Sequence, residues 1–175
     1  MRREGAHARG RVWRRHTMDD ATKKEALRLF TYGLYAVTCG AGDERNAFTA
    51  NWLSQVSFEP PLLALSVENA SVSLAIIRRA GSFVVNVFAA DQRGLAGQLG
   101  KSLLKHPQKL DGLTFGQTEH GAPTLLETLA SVECVVEGEA PAGDSTLLIG
   151  RVIGAEMRQR GEPLTMLAAG FKHAG

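Results

Sequence analysis

Between Asn46 and Ala80 the apolar and polar positions fall into the order strand, turn, strand, loop, helix. Asn46 to Phe58 sets Thr49, Asn51, Ser54, Gln55 and Ser57 among Phe48, Trp52, Leu53, Val56 and Phe58. This is too polar for a plain core strand and too apolar for a solvent-facing edge. Glu59-Pro60-Pro61 ends it, because proline fixes φ and has no N–H for a ladder. Leu62 to Val67 is a short apolar run bounded by turn signals, which predicts a buried strand. After the loop Glu68-Asn69-Ala70, Ser71 is placed to cap a helix over Val72 to Arg79, and Gly81 to stop it.

The remaining pattern is mostly strands. Thr22-Lys23-Lys24-Glu25 reads as a capping box before a helix running to about Phe30, with Ala26, Leu27, Phe30 and Leu34 at core-packing spacing. Gly33 to Cys39 and the stretch from Asn46 predict a hairpin around the polar turn Ala41 to Arg45. Phe83 to Phe88 is a further strand in which Asn86 either ties down backbone or reaches a ligand. Gln92 to Leu99 reads as helix and Asp111 to Gly121 as surface loop. Ser131 to Ala140 and Leu147 to Glu156 alternate as paired strands. Many short strands with few helices predict a mainly β, antiparallel barrel with peripheral helices. No parallel βαβ unit and no G-x-G-x-x-G occurs, which disfavours a doubly wound nucleotide fold.

Composition adds boundaries. A chain of 175 residues, 44% hydrophobic and 22% charged, fits one globular domain with a real core. No apolar run is long enough for a helical membrane span. Cys39 and Cys134 have no metal-ligand spacing and read as small core residues in a reducing, cytoplasmic setting. The net charge of +2 hides an asymmetry: residues 1–17 hold six arginines against one glutamate, and the rest has 14 Lys+Arg against 17 Asp+Glu. The body from residue 18 is thus acidic and is not a nucleic-acid binder by charge. Residues 1–17 read as a disordered basic extension to a domain over 18–175.

Candidate chemistry is sparse. His106, His120 and His173 have no ligand spacing, and no paired carboxylates or Ser-His-Asp order point to hydrolysis. The ending of Gly94 to Ser102 imitates a phosphate loop, but its glycine spacing is wrong and its flanks read as helix. The start of the helix after Ser71 is different. Its exposed N–H groups and positive dipole end suit a phosphate, and Asn69, Ser71 and Ser73 add donors there. Ordinary capping with solvent beyond is the alternative reading.

Several runs then fall in one order. Phe48-Thr49-Ala50-Asn51, Ser54, Val56-Ser57 and Pro60-Pro61 resemble "T-A-N-S-F-x-S-V-S-x-D-P-P". Gly81 to Phe88 resembles "G-x-F-V-V-N-V-L", Gln92 to Leu99 a "Q-x-x-L-A" helix, Asp144 to Val152 "G-D-H-x-x-x-x-G-x-V", and Glu162-Pro163-Leu164 "x-P-L". Together, from about Leu29 to the C-terminus, they resemble the flavin reductase-like, FMN-binding split-barrel family.

The resemblance implies a homodimer of split barrels that binds FMN, or FAD, and reduces it with NADH or NADPH, often for a partner monooxygenase. The flavin carries such chemistry, so no catalytic side chain is assigned. The implied cofactor contacts are Thr49, Ala50 and Asn51 along the ring, Trp52 and Ser54 in the same run, and Ser66 and Val67 by the ribityl chain. Asn69, Ser71 and Ser73 stand at the phosphate, and Lys101 reaches phosphate or nicotinamide. Trp52 either stacks near the ring or fills core. One departure stands out: the "G-D-H" of the family reads Gly143-Asp144-Ser145 here, and serine cannot carry the positive charge of a histidine on the nicotinamide side. His173 is a speculative substitute. An FMN-binding electron relay without nicotinamide turnover is therefore the alternative function.

Overall fold

The computed structural model describes residues 19–172; the basic segment 1–17 and His173 lie outside them. Residues 31–172 form one compact unit, and residues 19–30 belong to another. In the latter, helix α1 (Asp20–Leu27) is capped by Asp19, whose Oδ2 accepts from the Thr22 N–H at 2.9 Å. That bond holds the Asp19 carboxyl below its usual range. The cap thus lies three residues before the predicted one, and the helix stops short of Phe30. None of its residues is buried, contrary to the core-packing expectation for Ala26 and Leu27. A short helix whose apolar side chains are not buried rests on its caps and local charges, here the Lys23–Asp20 pair at 3.0 Å.

The larger unit is built on a seven-stranded antiparallel sheet. Its strands are β1 (Tyr35–Cys39), β2 (Asn46–Ala50), β3 (Leu53–Phe58), β4 (Pro61–Glu68), β5 (Ser82–Val87), β8 (Ala130–Ala142) and β9 (Ser145–Met157). They lie in the order β2-β1-β5-β8-β9-β4-β3. A hairpin of β6 (Phe115–Gln117) and β7 (Pro123–Leu125) stands apart from this sheet. Three α-helices, α2 (Val72–Ala80), α3 (Arg93–Leu99) and α4 (Met166–Ala169), and two short 3-10 turns, Gly42–Glu44 and Pro107–Leu110, complete the unit. This is the mainly β, antiparallel class predicted from the pattern.

The stretch Asn46 to Phe58 is not one strand. β2 and β3 occupy opposite edges of the sheet and are joined only by Asn51 and Trp52. Seven flat strands would hold their edges about 29 Å apart, whereas two linking residues span about 11 Å. The sheet must therefore roll until its edges approach. The chain leaves the β1 ladder after Ala50 because its next polar groups are bound elsewhere. Asn51 Nδ2 donates to Met166 Sδ at 3.0 Å, and the Trp52 carbonyl accepts from the Ser66 N–H at 3.0 Å.

β1 separates two cores. Val37 and Cys39 face Leu65, Leu74, Ile77, Phe83 and Leu148, covered by α2. Ala36 faces the other way, toward Phe88, Ala96, Leu99, Leu164 and Met166. Gly150 on β9 lets Phe83 cross the first core, since a Cβ there would lie 2.6 Å from the Phe83 ring. Burial pushes both thiols up to about 12, with Glu133 adding to the effect at Cys134, so Cys39 and Cys134 behave as core residues.

Asn86 resolves toward backbone. It is fully buried on β5. Its Nδ2 donates to the Ala36 carbonyl at 3.1 Å and to Thr38 Oγ1 at 3.0 Å. Its Oδ1 accepts from the Leu125 N–H at 3.0 Å and from Ser131 Oγ at 2.6 Å. This amide, together with Thr38 Oγ1 donating to the Pro123 carbonyl at 2.5 Å, fastens the β6–β7 hairpin onto the sheet.

Candidate functional site

The rolled sheet brings two distant runs side by side. Leu53 pairs with Leu65 and Ser54 with Ala64, and the Trp52–Ser66 bond extends that register. Thr49, Ala50, Asn51, Trp52 and Ser54 therefore lie next to Ser66 and Val67, although up to eighteen residues separate them in sequence. Thr49 Oγ1 donates to the Ala96 carbonyl at 2.6 Å, which locks this edge onto α3. Ala50 and Val67 are buried, Asn51 and Ser66 half-buried, Ser54 exposed, and Trp52 is 37% exposed. The Trp52 ring is thus neither a sealed core residue nor a bare surface one.

β4 leads from this edge to the start of α2. Ser71 has extended backbone, and its Oγ accepts from the Ser73 N–H at 3.2 Å, as a cap should. A hydroxyl that accepts in this way still has its own proton to give. Gly81 ends the helix with φ of 67°, the left-handed conformation that favours glycine. Asn69 is exposed and oriented from both ends. Its Oδ1 accepts from Thr146 Oγ1 at 2.7 Å, and its Nδ2 donates to the Gly143 carbonyl at 3.4 Å. Ser73 departs from the predicted set: it is 2% exposed, and its hydroxyl accepts from Asn46 Nδ2 at 2.9 Å, so its side chain points into the fold.

Lys101 follows the end of α3, where Gly100 backs onto Thr49. Its side chain is exposed. The cation built into this corner is Lys109, 4% exposed, whose Nζ donates to the Leu99 carbonyl at 3.3 Å and the Lys101 carbonyl at 2.9 Å. Burial pulls its ammonium down to about 8, and Cys39 acts the other way. Nothing in Pro107-Gln108-Lys109-Leu110 marks this lysine as buried; only its link to the carbonyls closing α3 does.

Beside Asn69 the β8–β9 hairpin opens a cavity of about 210 Å³, lined by Asn69, Arg78, Glu139, Pro141, Ser145 and Thr146 among others. Sequence reading missed Arg78, Glu139 and Thr146. The register that would have found Thr146 pairs Val67 with it and Glu68 with Ser145; Arg78 and Glu139 come in from α2 and β8. Ser145, where the resemblance implies a histidine, is 3% exposed and donates to Asp144 Oδ1 at 3.2 Å.

These residues suit a flavin nucleotide. An edge of partly buried amide and hydroxyl groups runs into a capped helix tip with a serine proton free to donate, the kind of place where a terminal phosphate is stabilised.

Comparison with known proteins agrees with that fit. The model of the flavin reductase like domain matches residues 27–175. High molecular weight rubredoxin of Moorella thermoacetica is 33% identical over 81% of this chain, which spans 62% of that protein. FMN reductase (NADH) SmoA of Agrobacterium fabrum is 30% identical, covering 85% of this chain and 82% of the relative. Among solved structures, BorF, the flavin reductase component of a bacterial two-component tryptophan halogenase, superposes with a TM-score of 0.75. It is 31% identical and covers 86% of this chain and 95% of its own. The chain belongs to the flavin reductase like domain family.

Proposed function

We propose that the protein is an NAD(P)H-dependent flavin reductase that supplies reduced flavin to a partner oxygenase. The observation that supports it most is the bond from the Ser66 N–H to the Trp52 carbonyl. It joins the ring-side run Thr49 to Ser54 to the tail-side run Ser66 to Ser71, making one continuous surface from two segments. The names of SmoA and BorF support the same activity, and that of a relative 29% identical, the reductase component of 4-hydroxyphenylacetate 3-monooxygenase of Thermus thermophilus, supports an oxygenase partner.

In this reading the rolled sheet is a split barrel, and a bound flavin supplies the electron-accepting chemistry. The chain's own residues bind and orient. Thr49, held by Ala96, fixes the backbone of Ala50 and Asn51 beneath the ring. The Ser71 hydroxyl and the Asn69 amide face the phosphate, with the helix dipole behind them. The hidden side chain of Ser73 leaves it only an indirect part there, through Asn46 and the cap. Ser54 and Lys101, both exposed, border the site. No helix among the described residues is long and apolar enough to cross a membrane, which suits a cytoplasmic enzyme. Val56, 54% exposed, and Phe58, 88% exposed, lie on the edge strand β3 and suit burial against a second copy in a homodimer.

Mixing the purified protein with FMN or FAD and NADH or NADPH, and following loss of the reduced-nicotinamide absorbance band, tests the activity. Flavin-dependent oxidation is the expected result; none with any pairing overturns it. A second reading, a flavin-holding electron relay, is favoured by Ser145. Its hydroxyl is engaged by a carboxylate where an imidazole would otherwise stand. Bound flavin reduced only by a protein donor would select it.

A further inference from the structure

We infer that Arg78 and Glu139 form an exchangeable subsite for the pyrophosphate of a dinucleotide, beyond the flavin's terminal phosphate. The inference rests on the flavin-site reading above. Arg78 Nε and Nη2 donate to the two oxygens of Glu139 at 2.9 and 3.1 Å, a two-pronged grip on a planar anion. The same Nη2 donates to Thr146 Oγ1 at 3.5 Å, and Thr146 donates to Asn69. The guanidinium therefore stands two hydrogen bonds from the residue at the mouth of the phosphate site.

Charge and exposure make the grip transferable. Arg78 and Glu139 are the two charged residues lining the cavity of about 210 Å³. Their side chains are 49% and 45% exposed, so their pairing is solvated and contributes little to folding. A phosphate presents the same paired oxygens as the carboxylate now held there. It displaces Glu139 at small cost, and the displaced carboxylate returns to water. Without a competing anion, Glu139 neutralises the only cation of the cavity. The pair thus weighs against small anions and yields to a ligand anchored elsewhere on the protein, as a dinucleotide is. Two dinucleotides share this chemistry, FAD and the nicotinamide donor.

The test measures Kd for FMN and FAD, and KM for NADH with FMN as acceptor, in the full-length protein and in Glu139→Gln and Arg78→Gln. Glu139→Gln is expected to tighten one dinucleotide by about threefold or more, and Arg78→Gln to weaken that same one, with FMN affinity changing less than about twofold. A change confined to FAD assigns the subsite to the flavin; a change confined to NADH assigns it to the donor. If neither dinucleotide moves, or FMN moves in parallel, the inference is overturned while the flavin-site reading stands. If the parent protein binds no flavin, both fall.

Discussion

Thr49 Oγ1 donates to the Ala96 carbonyl at 2.6 Å, tying the end of β2 to helix α3. Ala96 already accepts from the Gly100 N–H at 3.0 Å within the helix. Removing the threonine hydroxyl therefore leaves no orphaned carbonyl. Thr49→Val keeps the strand-favouring branched shape and is expected to cost about 1 kcal/mol, the value of one net hydrogen bond. Thr49→Ser is expected to recover most of it. Chemical denaturation of the three proteins checks this; equal midpoints would show that the bond does not hold the edge.

Asn86 makes a stronger case. In Asn86→Leu the buried Leu125 N–H and the Ser131 hydroxyl each lose an acceptor, and Thr38 Oγ1 loses a donor. Unsatisfied buried groups cost roughly 1–3 kcal/mol each, so a loss of about 3 kcal/mol or more is expected. Proteolysis or hydrogen exchange should show the first opening at the β6–β7 hairpin. Retained protection there would mean the amide is not its fastening.

Lys109 gives a pH signature. Its folded pKa, about 8, lies below its ordinary value of 10.5. Between those two values the unfolded chain holds a proton that the folded chain has released, so folding stability rises with pH across that window. Relative to Lys109→Met, which has no proton to exchange, the parent protein should gain stability from pH 8 to 10.5. Unfolding midpoints of both proteins over that range check the sign. A constant difference would place the ammonium in water.

Much of the fold was legible because local chemistry and final structure agree. Ser71 and Gly81 bracket α2 by capping rules alone, and the alternation of Ser131 to Ala140 and Leu147 to Glu156 gave β8 and β9. The break at Asn51-Trp52 was not legible. Apolar periodicity runs straight through it, and only the seven-strand order reveals that β2 and β3 sit on opposite edges. Lys109 and Arg78 escaped for a related reason. Their roles come from carbonyls and carboxylates brought in by other elements, and a lysine or arginine with no motif around it reads as surface. Ser73 erred the other way: a serine in the first turn looks like a donor to solvent, but its helix face is the buried one.

In the proposed site the tip of α2 holds a phosphate through Ser71. Ser71→Ala would also remove the cap, at about 1 kcal/mol of stability, whereas Ser71→Gly removes the hydroxyl and costs only a few tenths. The most direct measurement is therefore titration of FMN and riboflavin into the parent protein and into Ser71→Gly. The parent should bind FMN at least about tenfold more tightly than riboflavin, the worth of one charge-assisted bond. Ser71→Gly should lose most of that preference with riboflavin affinity unchanged. Equal affinity for the two flavins in the parent, or an undiminished preference in Ser71→Gly, would contradict the account.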